Sequence, residues 1–285
     1  MKNKNEGDPH AFDLNWKSRS ESHYTHWTRG AVQNQIQLAF RNHWTLFNEI
    51  LDQCSSYNGG KRVLEIGCGR GSLSCYFSDA GYDCSLLDLS EAVIDVAKNI
   101  FKREGLKANF LVGDANDIHL PNKSFDIIFS IGLLEHFENI EKPLSEQIRL
   151  LDDGGVWFGY IVPKYVKNIQ QEYDWINDLL RGYHEHQTKK NISKEEVYRS
   201  DFGSERYLPV LEKLGLKNLN ASGVYPLPMI SHSIEFPFSL MPEKSELSFV
   251  KFLEKMLEVN RLKNGKHPWL CDEGFGNAFL IWGVK

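Results

Sequence analysis

The residues best suited to chemistry in this 285-residue chain gather in four short stretches. In the first, Val63-Leu64-Glu65-Ile66-Gly67-Cys68-Gly69-Arg70-Gly71, an apolar run carrying one carboxylate gives way to glycine at every second position. Glycine weakens a regular element by roughly 0.5–1 kcal/mol, so its repetition points to close approach of backbone to a ligand, or to tight packing of a strand on a helix. The stretch lacks the Gly-Lys-Ser/Thr ending of a phosphate-cradling loop, and its G-x-G-x-G spacing departs from the dinucleotide pattern G-x-G-x-x-G. Glu65, two residues before the first glycine, would repel a pyrophosphate and suits a cationic ligand. Two further runs, Leu86-Leu87-Asp88-Leu89-Ser90 and Val112-Gly113-Asp114-Ala115, each end on an acid. Such an acid can accept charge-assisted hydrogen bonds from hydroxyl or amino groups, or can serve only as a helix-entry or loop carboxylate. The fourth stretch, Phe125 to Ser130 followed by Leu133-Leu134-Glu135-His136, places an imidazole just past an apolar run. His136 is suited to take a proton near neutral pH, and equally to be satisfied by the loop backbone.

Elements of alternating type must position these residues. Strand-like runs fall at residues 62–66, 84–87, 109–112, 125–131 and 155–162, with helix-like segments between them at 71–80, 91–104 and 140–151. Ser90 is placed to cap the second of these helices and Gly105 to end it. Strands alternating with helices imply right-handed βαβ units, hence a parallel sheet covered on both faces. Ahead of the first strand, Ile36, Phe40, Trp44, Phe47 and Leu51 recur at the steps of an amphipathic helix over residues 32–51.

The alternation breaks after Pro163. Val166, Ile169, Tyr173, Ile176 and Leu180 follow helical spacing, and Ser193 to Glu196 fits a capping box. A short helix at 208–214 and a strand at 217–225 resume the sheet, residues 226–272 interrupt it again with a helix near 247–259, and an aromatic strand at 275–284 closes the chain. The expected fold is α/β: a doubly wound, mostly parallel seven-stranded sheet with helices on both faces. Residues 58–163, 204–225 and 273–285 form its core, and a helical cap over the carboxyl edge comes from residues 1–57, 164–203 and 226–272.

Composition narrows the partners. A net charge of −5 gives no basic footprint for nucleic acid. The polar N-terminal stretch has no apolar segment of signal type, and no apolar run approaches the ~18 residues that span a bilayer. Five cysteines, at 54, 68, 75, 84 and 271, show no Cys-x-x-Cys spacing and read as reduced thiols in a cytoplasm. His184-Glu185-His186 offers alternate residues that point different ways on a helix, so a solvated face is preferred to a metal site and no metal is expected.

Taken in order and spacing, the four stretches resemble the motifs of class I S-adenosylmethionine-dependent methyltransferases. The resemblance is good over residues 60–163 and weak to 225 and in the last strand. It implies S-adenosylmethionine as cofactor and S-adenosylhomocysteine as product. By the resemblance, Glu65, Gly67, Cys68, Gly69 and Gly71 surround the methionyl part, whose carboxylate favours a helix N-terminus. Asp88 holds both ribose hydroxyls with Leu89 beside it; Gly113, Asp114 and Ala115 face adenine; Ser130 and Ile131 lie by the methionyl group; and Glu135 and His136 stand in the active-site loop. A segment before the first helix folds over the cofactor in many relatives, which nominates Tyr24 and Trp27, in a cluster with His23 and His26. Surface aromatics packed on the cap are the plainer account.

Absences limit the methyl acceptor. No Asp/Asn-Pro-Pro-Tyr/Phe follows the fourth strand, no Pro-Cys nucleophile is present, and no metal-binding carboxylate set of the catechol type is recognisable. A small-molecule acceptor, methylated at oxygen, nitrogen or carbon with specificity set by the cap, is the leading expectation. The aromatics Tyr173, Trp175, Tyr183, Tyr225, Phe236, Phe238 and Trp269 could wall its pocket or form ordinary cap core. An RNA or protein methyltransferase, or a module that binds the cofactor without turning it over, stays open. Neither oligomeric state nor acceptor identity is legible.

Overall fold

The computed structural model describes residues 26–164, 168–188, 198–230 and 241–285. Tyr24, His23, Val166, the Ser193 to Glu196 box, Phe236 and Phe238 lie outside them. In chain order the elements are α1 (Gln35–Gln53), β1 (Arg62–Ile66), α2 (Ser72–Asp79), β2 (Asp83–Asp88), α3 (Glu91–Glu104), β3 (Asn109–Val112) and β4 (Phe125–Ile131). There follow a 3-10 turn (Leu134–His136), α4 (Glu141–Leu150), β5 (Leu151–Ile161), α5 (Asp174–Thr188), α6 (Leu208–Lys213), β6 (Lys217–Val224), α7 (Glu243–Asn264), β7 (Leu270–Cys271) and β8 (Ala278–Val284).

The strands form one sheet in the order β3-β2-β1-β4-β5-β8-β6-β7. β1 through β5 pair in parallel, and β8 runs antiparallel between β5 and β6. The strand order turns back between β1 and β4, and a crevice at the carboxyl ends opens at such a switch point. The expected parallel α/β sheet is therefore present with eight strands rather than seven. The addition is β7, two residues too short to carry a readable period, whose Leu270 and Cys271 pair with Val224 and Gly223 at the sheet edge.

Adjacent residues of each inner strand serve opposite faces, which is why these strands read as unbroken apolar runs rather than alternating ones. Val63, Ile127, Phe158 and Leu280 join α1, α2, α3 and α7 in one core; Leu64, Ile128, Trp157 and Phe279 join α4 and α6 in the other. The capping signals hold: the Ser90 hydroxyl accepts from the Val93 N–H, and Gly105 ends α3 at φ +67°.

Helix α1 is more than a cover for the sheet's edge. Phe47 stacks on Phe158 with ring centroids 4.2 Å apart and meets Phe129 edge-on at 5.9 Å, so the second half of the helix lies flat on the sheet. Its first half reaches the carboxyl edge, where His43 meets Tyr160 at the end of β5 at 4.6 Å. There the chain after β6 is held by side-chain amides: Gln170 pairs with both N–H and C=O of Met229, Gln35 does the same for Ile230, Asn177 donates to the Met229 carbonyl and Asn277 to that of Leu227. The Gln35 backbone N–H also donates to Glu246 of α7. Amides mimic peptide groups and so satisfy a backbone that no strand accompanies.

His43 accepts a hydrogen bond from Trp269 Nε1 at 3.0 Å and is enclosed by Tyr160, Tyr225, Phe40 and Trp269. Burial, with His267 nearby, brings its pKa from 6.5 down to about 3. The unfolded chain therefore binds this proton at a pH where the folded chain refuses it, and stability falls as pH drops below 6.5. Denaturant titrations should show a loss of about 2 kcal/mol from His43 between pH 7 and pH 5. His43→Gln, which keeps an acceptor for Trp269, should flatten that slope; an unchanged slope would show that His43 does not refuse the proton.

Candidate functional site

The loop from β1 to α2 is built from backbone in a conformation that side chains resist. Gly67, Gly69 and Gly71 have φ of +67°, +52° and +65°. That left-handed region is strained for residues with a Cβ by roughly 1–2 kcal/mol each. The geometry brings the N–H groups of Gly67 and Cys68 to the Leu87 carbonyl at 2.8 and 3.1 Å, and that of Gly69 to Asp88 Oδ2 at 3.1 Å. Space is also short. A Cβ at Gly71 would stand 2.4 Å from Leu86 Cδ2, and one at Gly67 would stand 2.8 Å from Leu133 Cδ1. The tight-packing reading thus applies at Gly71, which lets α2 close on the sheet, while Gly67 and Gly69 turn the backbone back toward β2.

Asp88 ends β2 as the hinge of this arrangement. Its Oδ2 accepts from Gly69 and its Oδ1 accepts from the Ser90 N–H at 3.1 Å, where α3 begins. Each carboxylate oxygen can accept more than one hydrogen bond. Leu89 and Val112, on either side of it, are 53% and 57% exposed. Two large apolar side chains left bare at neighbouring strand tips offer the face of a flat ring somewhere to lie.

Glu65 sits elsewhere. It is buried on β1 beneath the loop and accepts from Ser74 Oγ at 2.5 Å and Ser74 N–H at 3.3 Å, tying β1 to α2. Burial raises its pKa to about 8, so the carboxyl is largely protonated at neutral pH and braces the loop. Cys68 is buried too, and burial pushes its thiol well up. Past β3, the Gly113 N–H donates to the Asp88 carbonyl at 3.0 Å. Asp114 is exposed and Oδ1 accepts from the Asn116 N–H at 2.8 Å, an Asx turn, with Ala115 buried behind it.

At the tip of β4, Ser130 is fully buried, Ile131 half-buried, and Gly132 turns the chain at φ +67° with its N–H on the Tyr160 carbonyl. The Ser130 hydroxyl is buried without a partner. His136 Nδ1 lies 2.6 Å from the Tyr198 carbonyl and the ring also bonds the Gly132 carbonyl, so the satisfied-by-backbone reading describes its setting. Burial lowers its pKa.

Trp27 packs edge-on against Tyr76 of α2 with Arg29 over its ring, in the seam between α1 and α2. Its neighbour His26 reaches the loop instead: Nδ1 is 3.0 Å from the Ser72 hydroxyl, the first helical residue after Gly71. The sequence places His26 only in the cluster around Trp27; its ring stacks on Phe40 of α1. His184 and His186 are exposed on α5, and among the described residues no group of three His, Cys, Asp or Glu side chains is placed to hold a metal ion.

The likenesses of this chain agree with that geometry. Residues 64–158 match the family described as "Methyltransferase domain". A "Ubiquinone biosynthesis O-methyltransferase" of Coxiella burnetii is 35% identical over 99 residues, 35% of this chain and 42% of the relative. An "Ajmaline N-methyltransferase" of Rauvolfia serpentina is 33% identical over 98 residues, 33% of each chain. The chain thus spans less than half the length of these relatives. The fold matches that of a SAM-dependent methyltransferase from Archaeoglobus fulgidus with TM-score 0.50 and 17% identity, covering 86% of this chain and 96% of that one. Over residues 64–158 the chain carries a methyltransferase domain, and S-adenosylmethionine is the cofactor its site must fit. The residues present fit it: a loop with glycine at every second position, an acid at the next strand tip, and exposed apolar side chains beside that acid.

Gly71→Ala combines positive φ with an overpacked contact, and should cost about 3 kcal/mol of unfolding free energy. Thermal and denaturant melts check it; a variant as stable as the parent would show that α2 does not close this tightly on Leu86.

Proposed function

We propose that this protein moves the methyl group of S-adenosylmethionine to an oxygen, nitrogen or carbon atom of a small-molecule acceptor by in-line displacement, with the acceptor chosen by segments outside the core. The observation that carries the reading is the join between Gly69 and Asp88, which sets a glycine-rich loop and a carboxylate at adjacent strand tips. In this reading the Asp88 carboxylate takes both ribose hydroxyls, Leu89 and Val112 flank the adenine, and Ala115 N–H with Asp114 meets its edge. The backbone of Gly67, Gly69 and Ile131 borders the methionyl part, with the N-terminus of α2 and His26 beside its carboxylate.

The bound cofactor supplies a methyl on a sulfonium that leaves readily. What the chain adds is orientation of the acceptor and exclusion of water. Residues 1–57, 164–203 and 226–272 are the segments that would select the acceptor. In support, the amide-held backbone at Leu227 to Ile230, the start of α1 and the start of α7 meet at the carboxyl edge beyond β5 and β6. The names of the Coxiella and Rauvolfia relatives, and a net charge of −5 with no basic footprint, favour a small molecule over nucleic acid. Five unpaired thiols support a reducing, cytoplasmic setting. Among the described residues no helix is long and apolar enough to cross a membrane.

Isothermal titration with S-adenosylhomocysteine tests the site. Asp88→Ala should weaken binding by ~1.5–3 kcal/mol through loss of charged hydrogen bonds. Binding equal to the parent's would overturn the ribose assignment, and a parent that does not bind would overturn the function.

A further inference from the structure

Glu135 lies in the 3-10 turn behind β4 and is 1% exposed. Its carboxyl group is held on one side by its own N–H and by that of Val162, just past β5, and Oε1 stands 3.9 Å from His136 Nε2. Oε2 is buried with no hydrogen-bond partner. Leaving a carboxylate oxygen dry and unpaired is costly, so such an atom marks a place where a donor belongs.

The surroundings say what kind of donor. Tyr160 at the tip of β5 and Tyr207 before α6 both feel the Glu135 charge, and each hydroxyl is held in its neutral form, chiefly by burial. The Ser200 and Tyr207 hydroxyls are buried against each other, and the Ser200 N–H donates to the Glu135 carbonyl at 2.8 Å. Arg199, exposed, is the cation that acts on Glu135, and His136 is the other titratable group against it. Burial raises the carboxyl's pKa to about 7, against its backbone hydrogen bonds and Arg199. A base in that range both takes and releases a proton at neutral pH. His136 is less available for the task, since Nδ1 must carry its proton toward the Tyr198 carbonyl at 2.6 Å.

We infer that Glu135 is the catalytic base of the methyl transfer proposed above, taking at Oε2 the proton of an acceptor that arrives as a hydroxyl or amine. This rests on the methyl-transfer reading. The acceptor's O–H or N–H bond breaks as its proton bonds to Oε2. The electron pair on that oxygen or nitrogen forms the new bond to the methyl carbon, and the carbon–sulfur pair stays on sulfur. The products are the methylated acceptor, S-adenosylhomocysteine and a neutral Glu135, which returns the proton to water.

Two measurements test this. In protein labelled at the glutamate carboxyl carbon and saturated with S-adenosylhomocysteine, NMR should show one carboxyl titrating near pH 7 that is absent in Glu135→Gln; a Glu135 signal ionised throughout pH 5 to 9 overturns the assignment. With labelled methyl donor and a metabolite extract as acceptor pool, Glu135→Gln should transfer label at least ~100-fold more slowly than the parent, without the rise in rate through pH 7, and should bind S-adenosylhomocysteine within about twofold of the parent. Should that variant not bind, Glu135→Asp is read instead, with a lowered rate and the pH limb retained. Transfer by the parent with an unaltered rate and pH profile in Glu135→Gln overturns the base role alone. A parent that binds S-adenosylhomocysteine but transfers no label overturns the methyl-transfer reading and the base role with it.

Discussion

The hydrogen bond from the Gly69 N–H to Asp88 Oδ2 is the constraint on which the site depends. It joins the tips of two neighbouring strands through one side chain, and it forms only if the chain leaving β1 folds back sharply enough to aim its amides at β2. Gly67 and Cys68 make the same reach toward the Leu87 carbonyl. That fold requires positive φ at alternate residues, which fixes glycine at 67, 69 and 71. Asp88 bonds the loop through one oxygen and the start of α3 through the other, so in the proposed site a ligand would meet an acid already oriented by two elements. Such orientation before binding removes part of the ordering cost that a mobile side chain would impose.

The rest of the core secures those strand tips. Each inner strand gives adjacent residues to opposite faces, and the two apolar layers fix β1, β2 and β4 against α1 to α3 on one side and α4 and α6 on the other. Glu65 belongs to this support. Its position in the motif suggests contact with a cation, but it is held beneath the loop by Ser74. A carboxyl there satisfies the buried N–H and hydroxyl of Ser74, which an apolar residue could not do.

Local pattern made much of this legible. Strands β1, β3 and β4 fall at the expected bounds because turns bound them and their apolar runs are the right length for a buried strand. Ser90 and Gly105 mark α3 because caps act over a few residues. What could not be read depends on distant partners. β7 has two residues and exists only through its pairing with β6. His26 meets Ser72 across 46 residues of sequence, with its ring stacked on Phe40 of α1. The backbone from Leu227 to Ile230 carries no period of its own and is shaped by Gln35, Gln170, Asn177 and Asn277 from four separate places.

Glu135 and His136 show why neighbours in sequence can diverge in chemistry. Residue type alone favours the histidine, whose ordinary pKa lies near neutrality, over a carboxyl that is ordinarily ionised. Burial in the 3-10 turn works in opposite directions on the two, since it disfavours whichever form is charged. The imidazole is pushed toward neutrality and its ring is engaged by the carbonyls of Tyr198 and Gly132, while the carboxyl is raised to about 7 with one oxygen unpaired. The burial that quiets His136 therefore brings Glu135 into the working range. That exchange follows from residues 198–200 closing over the turn, where the Ser200 N–H meets the Glu135 carbonyl and the Tyr198 carbonyl meets the ring. Residues 198–200 thus bear on both side chains at once.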